Sequence, residues 1–273
     1  MYINSVYGTL NNAGLSLIDG LVVFDFNISK GMVIVMNKIV CNTYEELCSF
    51  ASDVFVRQLK KKPDSVLGLA TGGTPVDLYS DLVQRANAGE IDFSKVRTFN
   101  LDEYYPIKAS HPQSYRAFME KHLFSKVKLA SINFLNGEAS DPHAECAAYD
   151  SKVQEIGGID LQLLGIGVNG HIAFIEPDSS YPLGSYLVEL AEETLTANSR
   201  FFSDGETQPT SALSMGLSSI FSAKHIMMLV TGASKAPIIK RLFENIVHND
   251  LPASLLHLHP NVTVVVDKAA NGE

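Results

Sequence analysis

The sequence predicts an α/β fold: a doubly wound, mostly parallel sheet with helices on both faces, Rossmann-like in its layering. Two observations carry this. From about Lys38 onward, short apolar runs alternate with stretches of helical periodicity, the pattern of a parallel sheet built from crossover units. Each cluster of glycines and unusual polar residues then comes directly after one of those apolar runs. In an open α/β sheet, ligands bind beyond the carboxyl ends of the strands.

The elements follow in order. Lys38 to Cys41 reads as a strand. Thr43 is placed to cap a helix, with Glu46 as its capping-box partner and Leu47, Phe50, Ala51, Val54 and Phe55 along the apolar face. Val66 to Ala70 fits a buried strand. Thr74 is then expected to cap the next helix, with Pro75 at its first position and Tyr79, Leu82, Val83 and Ala86 facing inward. Val96 to Asn100 is another strand, and Tyr115, Phe118, Met119 and Leu123 mark a helix after the His111-Pro112 turn. Leu161 to Gly165, Ile226 to Thr231 and Asn261 to Asp267 complete the strands, with a helix expected from about Lys235 to Val247. No internal repeat or low-complexity linker divides the chain.

The chain has 273 residues, of which 46% are hydrophobic, enough for one sizeable core. Residues 36–273 are read as a single α/β catalytic domain, and residues 1–35 as an extension or an over-called start. No basic residue precedes Lys30, so a signal peptide is not expected, and no apolar run reaches the roughly 18 residues of a membrane span. The net charge of -9 argues against general nucleic-acid binding. Cys41, Cys48 and Cys146 are odd in number and lack metal-ligand spacing, which speaks against a disulfide framework and against a metal site. The expected setting is cytoplasmic, with no membrane and no nucleic acid as partner.

Five clusters carry chemistry. Thr71-Gly72-Gly73-Thr74-Pro75 pairs glycines with a helix start, a cradle for a phosphate monoester; no Gly-Lys-Ser/Thr follows, so it is not a nucleotide-triphosphate loop. A tight turn with no ligand is the competing reading. Asp102 and Glu103, in Asn100-Leu101-Asp102-Glu103-Tyr104, supply a candidate general base and an orienting carboxylate; the alternative is a loop with solvated charges. Gly165-Ile166-Gly167-Val168-Asn169-Gly170-His171 has the glycine spacing of a dinucleotide motif, yet Pro177 follows too soon for that motif's helix. A glycine-rich loop presenting His171, with Glu176 to tune or orient the imidazole, fits better. Arg200 can grip phosphate with two parallel hydrogen bonds, and Lys235 adds a point charge. A cation where a helix begins opposes the helix dipole, so Lys235 is well placed only beside an anion.

Taken together, LGLATGGTP, TFNLDEYYPI, HPQSYRAFMEKHLF, GIGVNGHIAFIEP, TANSRFF and LVTGASKA closely resemble the glucosamine-6-phosphate deaminase (isomerase) family, over about Met36 to Asp267. The resemblance implies a sheet of the sugar-phosphate isomerase type and conversion of glucosamine 6-phosphate to fructose 6-phosphate and ammonia, without metal or organic cofactor. It implies that Asp102 shuttles the C2 proton of the open-chain sugar. His171 would assist ring opening, supported by Glu176 and Asn169. Gly72, Gly73, Thr74, Arg200 and Lys235 would hold the phosphate, with Thr71, Glu103 and Gly170 completing the pocket. Members include monomers and hexamers, which leaves a homo-oligomer open.

The chain also departs from the family. Asn169 stands where the enteric enzymes carry Asp, and Ile175 replaces a frequent Asn. Tyr186 and Val188 fall where allosterically regulated members place basic residues, so weak or no activation by N-acetylglucosamine 6-phosphate is expected. Three other functions compete: a galactosamine-6-phosphate deaminase, a 6-phosphogluconolactonase and a non-catalytic sugar-phosphate sensor. Asp102-Glu103-Tyr104 and the His171 to Pro177 run favour the deaminase over the lactonase. The absence of a basic recognition helix ahead of the sheet speaks against the sensor.

Overall fold

The computed structural model describes residues 13–18, 21–26, 36–190, 195, 202 and 207–273. Strands β1 (Ala13–Ile18) and β2 (Leu21–Phe26) pair with each other as an antiparallel hairpin. The strands that follow are β3 (Met36–Cys41), β4 (Val66–Leu69), β5 (Arg97–Asn100), β6 (Asp102–Tyr105) and β7 (Ser131–Asn133). The chain continues through β8 (Leu161–Leu164), β9 (Tyr186–Glu189), β10 (Ser211–Ser214), β11 (Ile226–Val230) and β12 (Val262–Asp267). Seven of these form one sheet in the order β3-β12-β11-β8-β4-β5-β7, with every pairing parallel.

The expected α/β sheet is thus present, and six of its seven strands fall within about two residues of their expected bounds; the edge strand β7 was not expected. They were legible because β4, β8 and β11 are buried along their whole length, as a strand covered on both faces must be. Helix α1 (Tyr44–Lys61) starts where expected, with the Thr43 hydroxyl accepting from the Glu46 N–H at 3.2 Å. The Glu46 carboxylate reaches back to the Asn42 N–H at 2.8 Å, one residue further than an ordinary capping box.

Two expectations need correction. Helix α2 (Val76–Asn87) is preceded by Pro75 and has no side-chain cap. Thr74 does not cap it because the residue is engaged elsewhere. Its carbonyl accepts from the Tyr44 hydroxyl at 2.9 Å, and its own hydroxyl lies 3.4 Å from that of Thr231. The helix expected from Lys235 to Val247 is also shorter. After α3 (Tyr115–Met119), α4 (Pro142–Glu155) and α5 (Leu217–Phe221), a 3-10 turn over Ala233–Lys235 leads into α6 (Ala236–Leu242). Soon afterwards Asn245 takes φ 58, a left-handed conformation that ends a helix.

A second sheet was not expected. Strands β6, β10 and β9 pair antiparallel in that order, and the Asp102 segment, for which no strand was expected, is one of them. Leu101 hands the chain from one sheet to the other: its N–H donates to the Leu69 carbonyl at 3.2 Å and its carbonyl accepts from Met215 N–H at 2.7 Å.

The order of the large sheet fixes where a ligand can go. From β4 the chain steps outward through β5 to β7, then returns to β8 and steps the other way through β11 to β12. The direction reverses between the neighbours β4 and β8, which makes a crevice beyond their carboxyl ends.

Candidate active site

That crevice holds a cavity of about 130 Å³ lined by the residues after β4, β8 and β11, among them Thr71, Gly72, Gly73, Thr74, Gly165, Ile166, Thr231 and Lys235. Two strands end alike here. Thr71-Gly72 follows β4 and Thr231-Gly232 follows β11, with Gly72 at φ 100 and Gly232 at φ 90, values that side chains other than hydrogen rarely allow. Residues of both turns, Thr71 to Thr74 and Thr231, line the cavity. The Gly232 turn is braced from behind, since its N–H donates to the Asp267 carboxylate at 3.0 Å. Lys235 crosses to the β8 side, its Nζ donating to the Ile166 carbonyl at 2.7 Å. Partial burial pushes its ammonium below the ordinary lysine value, so an incoming anion would relieve a desolvated charge.

The cavity wall runs on from Ile166 into the glycine-rich loop. Gly167 is there because His171 lies on it: a Cβ at that position would stand 2.3 Å from the imidazole. The loop folds back on itself, with Gly167 N–H donating to the His171 carbonyl at 2.9 Å. His171 Nδ1 lies 3.2 Å from Glu176 Oε1, an ion-pair distance with poor hydrogen-bond alignment. The Asn169 amide donates to the other Glu176 oxygen at 2.6 Å, and its own oxygen accepts from His171 N–H at 3.2 Å. Asn169, His171 and Glu176 are therefore linked into one unit. Ile175, which replaces a frequent Asn, is fully buried in the core. Gly170 sits away from the cavity, against Leu251 and Ile238.

Asp102 opens β6 at the junction of the two sheets. It is buried, and no hydrogen bond or ion pair satisfies its carboxylate among the described residues. Burial first, and the neighbouring Glu103 charge second, push its pKa up to about 8. Successive strand residues face opposite ways, so Glu103 looks away from Asp102. It accepts three backbone N–H groups: Tyr104 at 3.0 Å, Tyr115 at 2.8 Å and Arg116 at 2.9 Å. Burial raises its pKa to about 7 against those donors. Glu103 thus ties β6 to the start of α3 and lines a different cavity, with Arg116 and Glu120.

The family model for glucosamine-6-phosphate isomerases/6-phosphogluconolactonase matches residues 42–265. The chain belongs to this family. Among curated relatives, the glucosamine-6-phosphate deaminase of Geobacillus sp. (strain WCH70) is 46% identical over 86% of this chain and 94% of its own. That of Lysinibacillus sphaericus (strain C3-41) is 48% identical over 84% of this chain and 98% of its own. The solved structure of a monomeric glucosamine-6-phosphate deaminase superposes with a TM-score of 0.83 at 41% identity, over 87% of this chain and 99% of that one. A 6-phosphogluconolactonase from Leishmania guyanensis shares the fold, with a TM-score of 0.71 at 19% identity over 87% of this chain and 98% of that one.

For this member of the glucosamine-6-phosphate isomerase/6-phosphogluconolactonase family, the expected site residues fall into three groups. Thr71 to Thr74 and Lys235 gather around the cavity. Asn169, His171 and Glu176 bond to one another beside it. Asp102 stands on the adjoining sheet, tied to the histidine loop by Ser214, its partner across β10, whose hydroxyl accepts from Phe174 N–H at 3.2 Å. Arg200 lies outside the described residues. Sequence reasoning missed Thr231 and Ser214, and singled out Tyr186 only as a position where regulated members place basic residues. Thr231 had a signal, the same Thr-Gly after a strand as at Thr71. Ser214 and Tyr186 had none, because their strands carry no apolar alternation.

Proposed function

We propose that this protein converts glucosamine 6-phosphate to fructose 6-phosphate and ammonia. One observation carries the reading: an anion-seeking cavity with a partly desolvated lysine lies at the reversal point of the large sheet, the loop after β8 pairs an imidazole with a carboxylate, and Asp102, buried and without a hydrogen-bond partner among the described residues, opens the adjoining sheet. The deaminase relatives support it through identity over most of the chain.

The phosphate is held by the Thr71 to Thr74 backbone and Lys235, with Arg200 joining from its own segment. Binding energy gained there positions C1 and C2, which are remote from the phosphate. His171, set by Glu176 and Asn169, moves the proton that opens the sugar ring. Asp102 then removes the C2 proton beside the C1 aldehyde, giving an enol, and returns a proton at C1. This leaves an imine at C2, and water adds across C=N to release ammonia and the ketone. Every step moves protons, water or ammonia, with no electron transfer. A carboxyl group titrating near 8 can take up and return a proton at neutral pH, which suits this shuttle.

We place the enzyme in the cytoplasm with its phosphorylated substrate, and the catalytic unit in residues 36–273. The test is ammonia release from glucosamine 6-phosphate and from galactosamine 6-phosphate, run beside acid release from 6-phosphogluconolactone, with the full chain and with residues 1–35 removed. The reading expects glucosamine 6-phosphate to have the highest kcat/KM in both. Turnover of the lactone alone would overturn it.

A further inference from the structure

The small antiparallel sheet does more than carry Asp102. In its register, Ser214 stands opposite Asp102 on one side and opposite Tyr186 on the other. Residues directly opposite share a face, so Asp102, Ser214 and Tyr186 form one row across three strands. The two residues of that row other than Asp102 reach the same target. The Ser214 hydroxyl accepts from Phe174 N–H at 3.2 Å, and the Tyr186 hydroxyl donates to the Phe174 carbonyl at 2.9 Å. Ser214 is fully buried, and its hydroxyl donates a hydrogen bond to the Met215 carbonyl at 3.2 Å.

Phe174 lies between His171 and Glu176, so whatever fixes its backbone fixes their loop. The loop needs fixing. Ala173 takes φ 51, a left-handed conformation unusual outside glycine, in the turn closed by Ile175 N–H on the Ile172 carbonyl at 2.9 Å. Such backbone persists only when its surroundings hold it. The Phe174 side chain adds packing, clustered with Tyr104, Leu190 and Ala212 on the same sheet face. Burial, then the charges of Glu176 and Asp102, raise the Tyr186 phenol above its ordinary value, so it stays a neutral donor to the Phe174 carbonyl.

We propose that Ser214 and Tyr186 are positioning residues that clamp the Phe174 backbone and so hold the His171–Glu176 loop in register with Asp102. The proposal rests on the function given above. Ring opening and C2 deprotonation act on one small sugar, so the two proton-moving groups must keep a fixed separation. A misplacement near 1 Å costs about a hundredfold in rate.

The test uses Tyr186→Phe and Ser214→Ala, which remove only the two hydroxyls. Each is expected to lower kcat on glucosamine 6-phosphate about tenfold or more, with KM changed less than about threefold. The double variant should lose less than the product of the two, because both hydroxyls hold one residue. In the substrate-free protein, backbone amide exchange at residues 172–176 should quicken about tenfold or more, while β12 stays protected. Unchanged exchange at 172–176, or a kcat loss matched by an equal rise in KM, overturns the clamp. Faster exchange in both variants of a chain whose wild type does not turn over glucosamine 6-phosphate keeps the clamp and overturns the function instead.

Discussion

Asp160 and Asp102 are both buried aspartates of the same sheet system, placed at opposite ends and treated in opposite ways. Asp160 sits where β4, β8 and β11 begin. Lys62 and Lys224 reach its two oxygens at 2.6 and 2.7 Å, and Val66 N–H adds a third donor at 2.8 Å. Burial works against its charge, yet the hydrogen bonds from Lys224, Lys62 and Val66 outweigh it and hold the carboxyl below the usual range. Asp102 sits beyond the end of β5 with no such donors among the described residues, beside a second carboxylate, and its pKa rises to about 8. One end of the sheet uses a carboxylate to tie strands together. The other leaves one without such donors among the described residues, which costs stability and keeps a proton-exchanging group available to a ligand.

The largest effect should come from Asp102→Asn. Losing the base is expected to lower kcat by about 10³-fold or more, read as ammonia release. The same change should stabilise the fold, with a definite pH dependence. A carboxyl whose folded pKa is raised favours the fold in its protonated form. That contribution is complete below the unfolded value and is lost as pH climbs toward 8. Melting temperatures of wild type and Asp102→Asn should therefore coincide near pH 4 and separate toward pH 8, the variant being higher.

Lys235→Met should come next. Removing a charged hydrogen bond to the phosphate is worth about 1.5–3 kcal/mol, so KM should rise about 10- to 100-fold with a smaller change in kcat. A rise in kcat loss with unchanged KM would move Lys235 from binding to chemistry. Asp160→Asn sharpens the comparison from the other side. It should cost about 2–3 kcal/mol in denaturant unfolding, less than a fully buried pair because both lysines keep solvent contact. Activity per folded molecule should stay within about twofold. Here the sign is reversed: the lowered folded pKa means the wild-type advantage is present above the unfolded value and fades as pH falls through the acid range.

The contrast also marks what could be read from the residues alone. The main sheet was legible because strands buried on both faces must be apolar throughout, as in Ile226–Val230. The cavity was legible because Thr71 to Thr74 and Lys235 follow strands directly. The state of Asp102 was not legible. Its burial depends on β10, a run of Ser-Ala-Leu-Ser with no strand signature, pairing with it from more than a hundred residues away. Nor was the fate of Glu103, since only the folded chain brings the Tyr115 and Arg116 N–H groups to its carboxylate. Thr74 failed as a cap for the same reason: Tyr44 and Thr231, both distant in sequence, claim it.

Titration of side-chain carboxyl carbons by NMR in the free enzyme tests the central claim most directly. One resonance should titrate near 8 and vanish in Asp102→Asn, while the resonance that vanishes in Asp160→Asn stays ionised below the ordinary aspartate range. An Asp102 that titrates in the ordinary aspartate range would contradict the account.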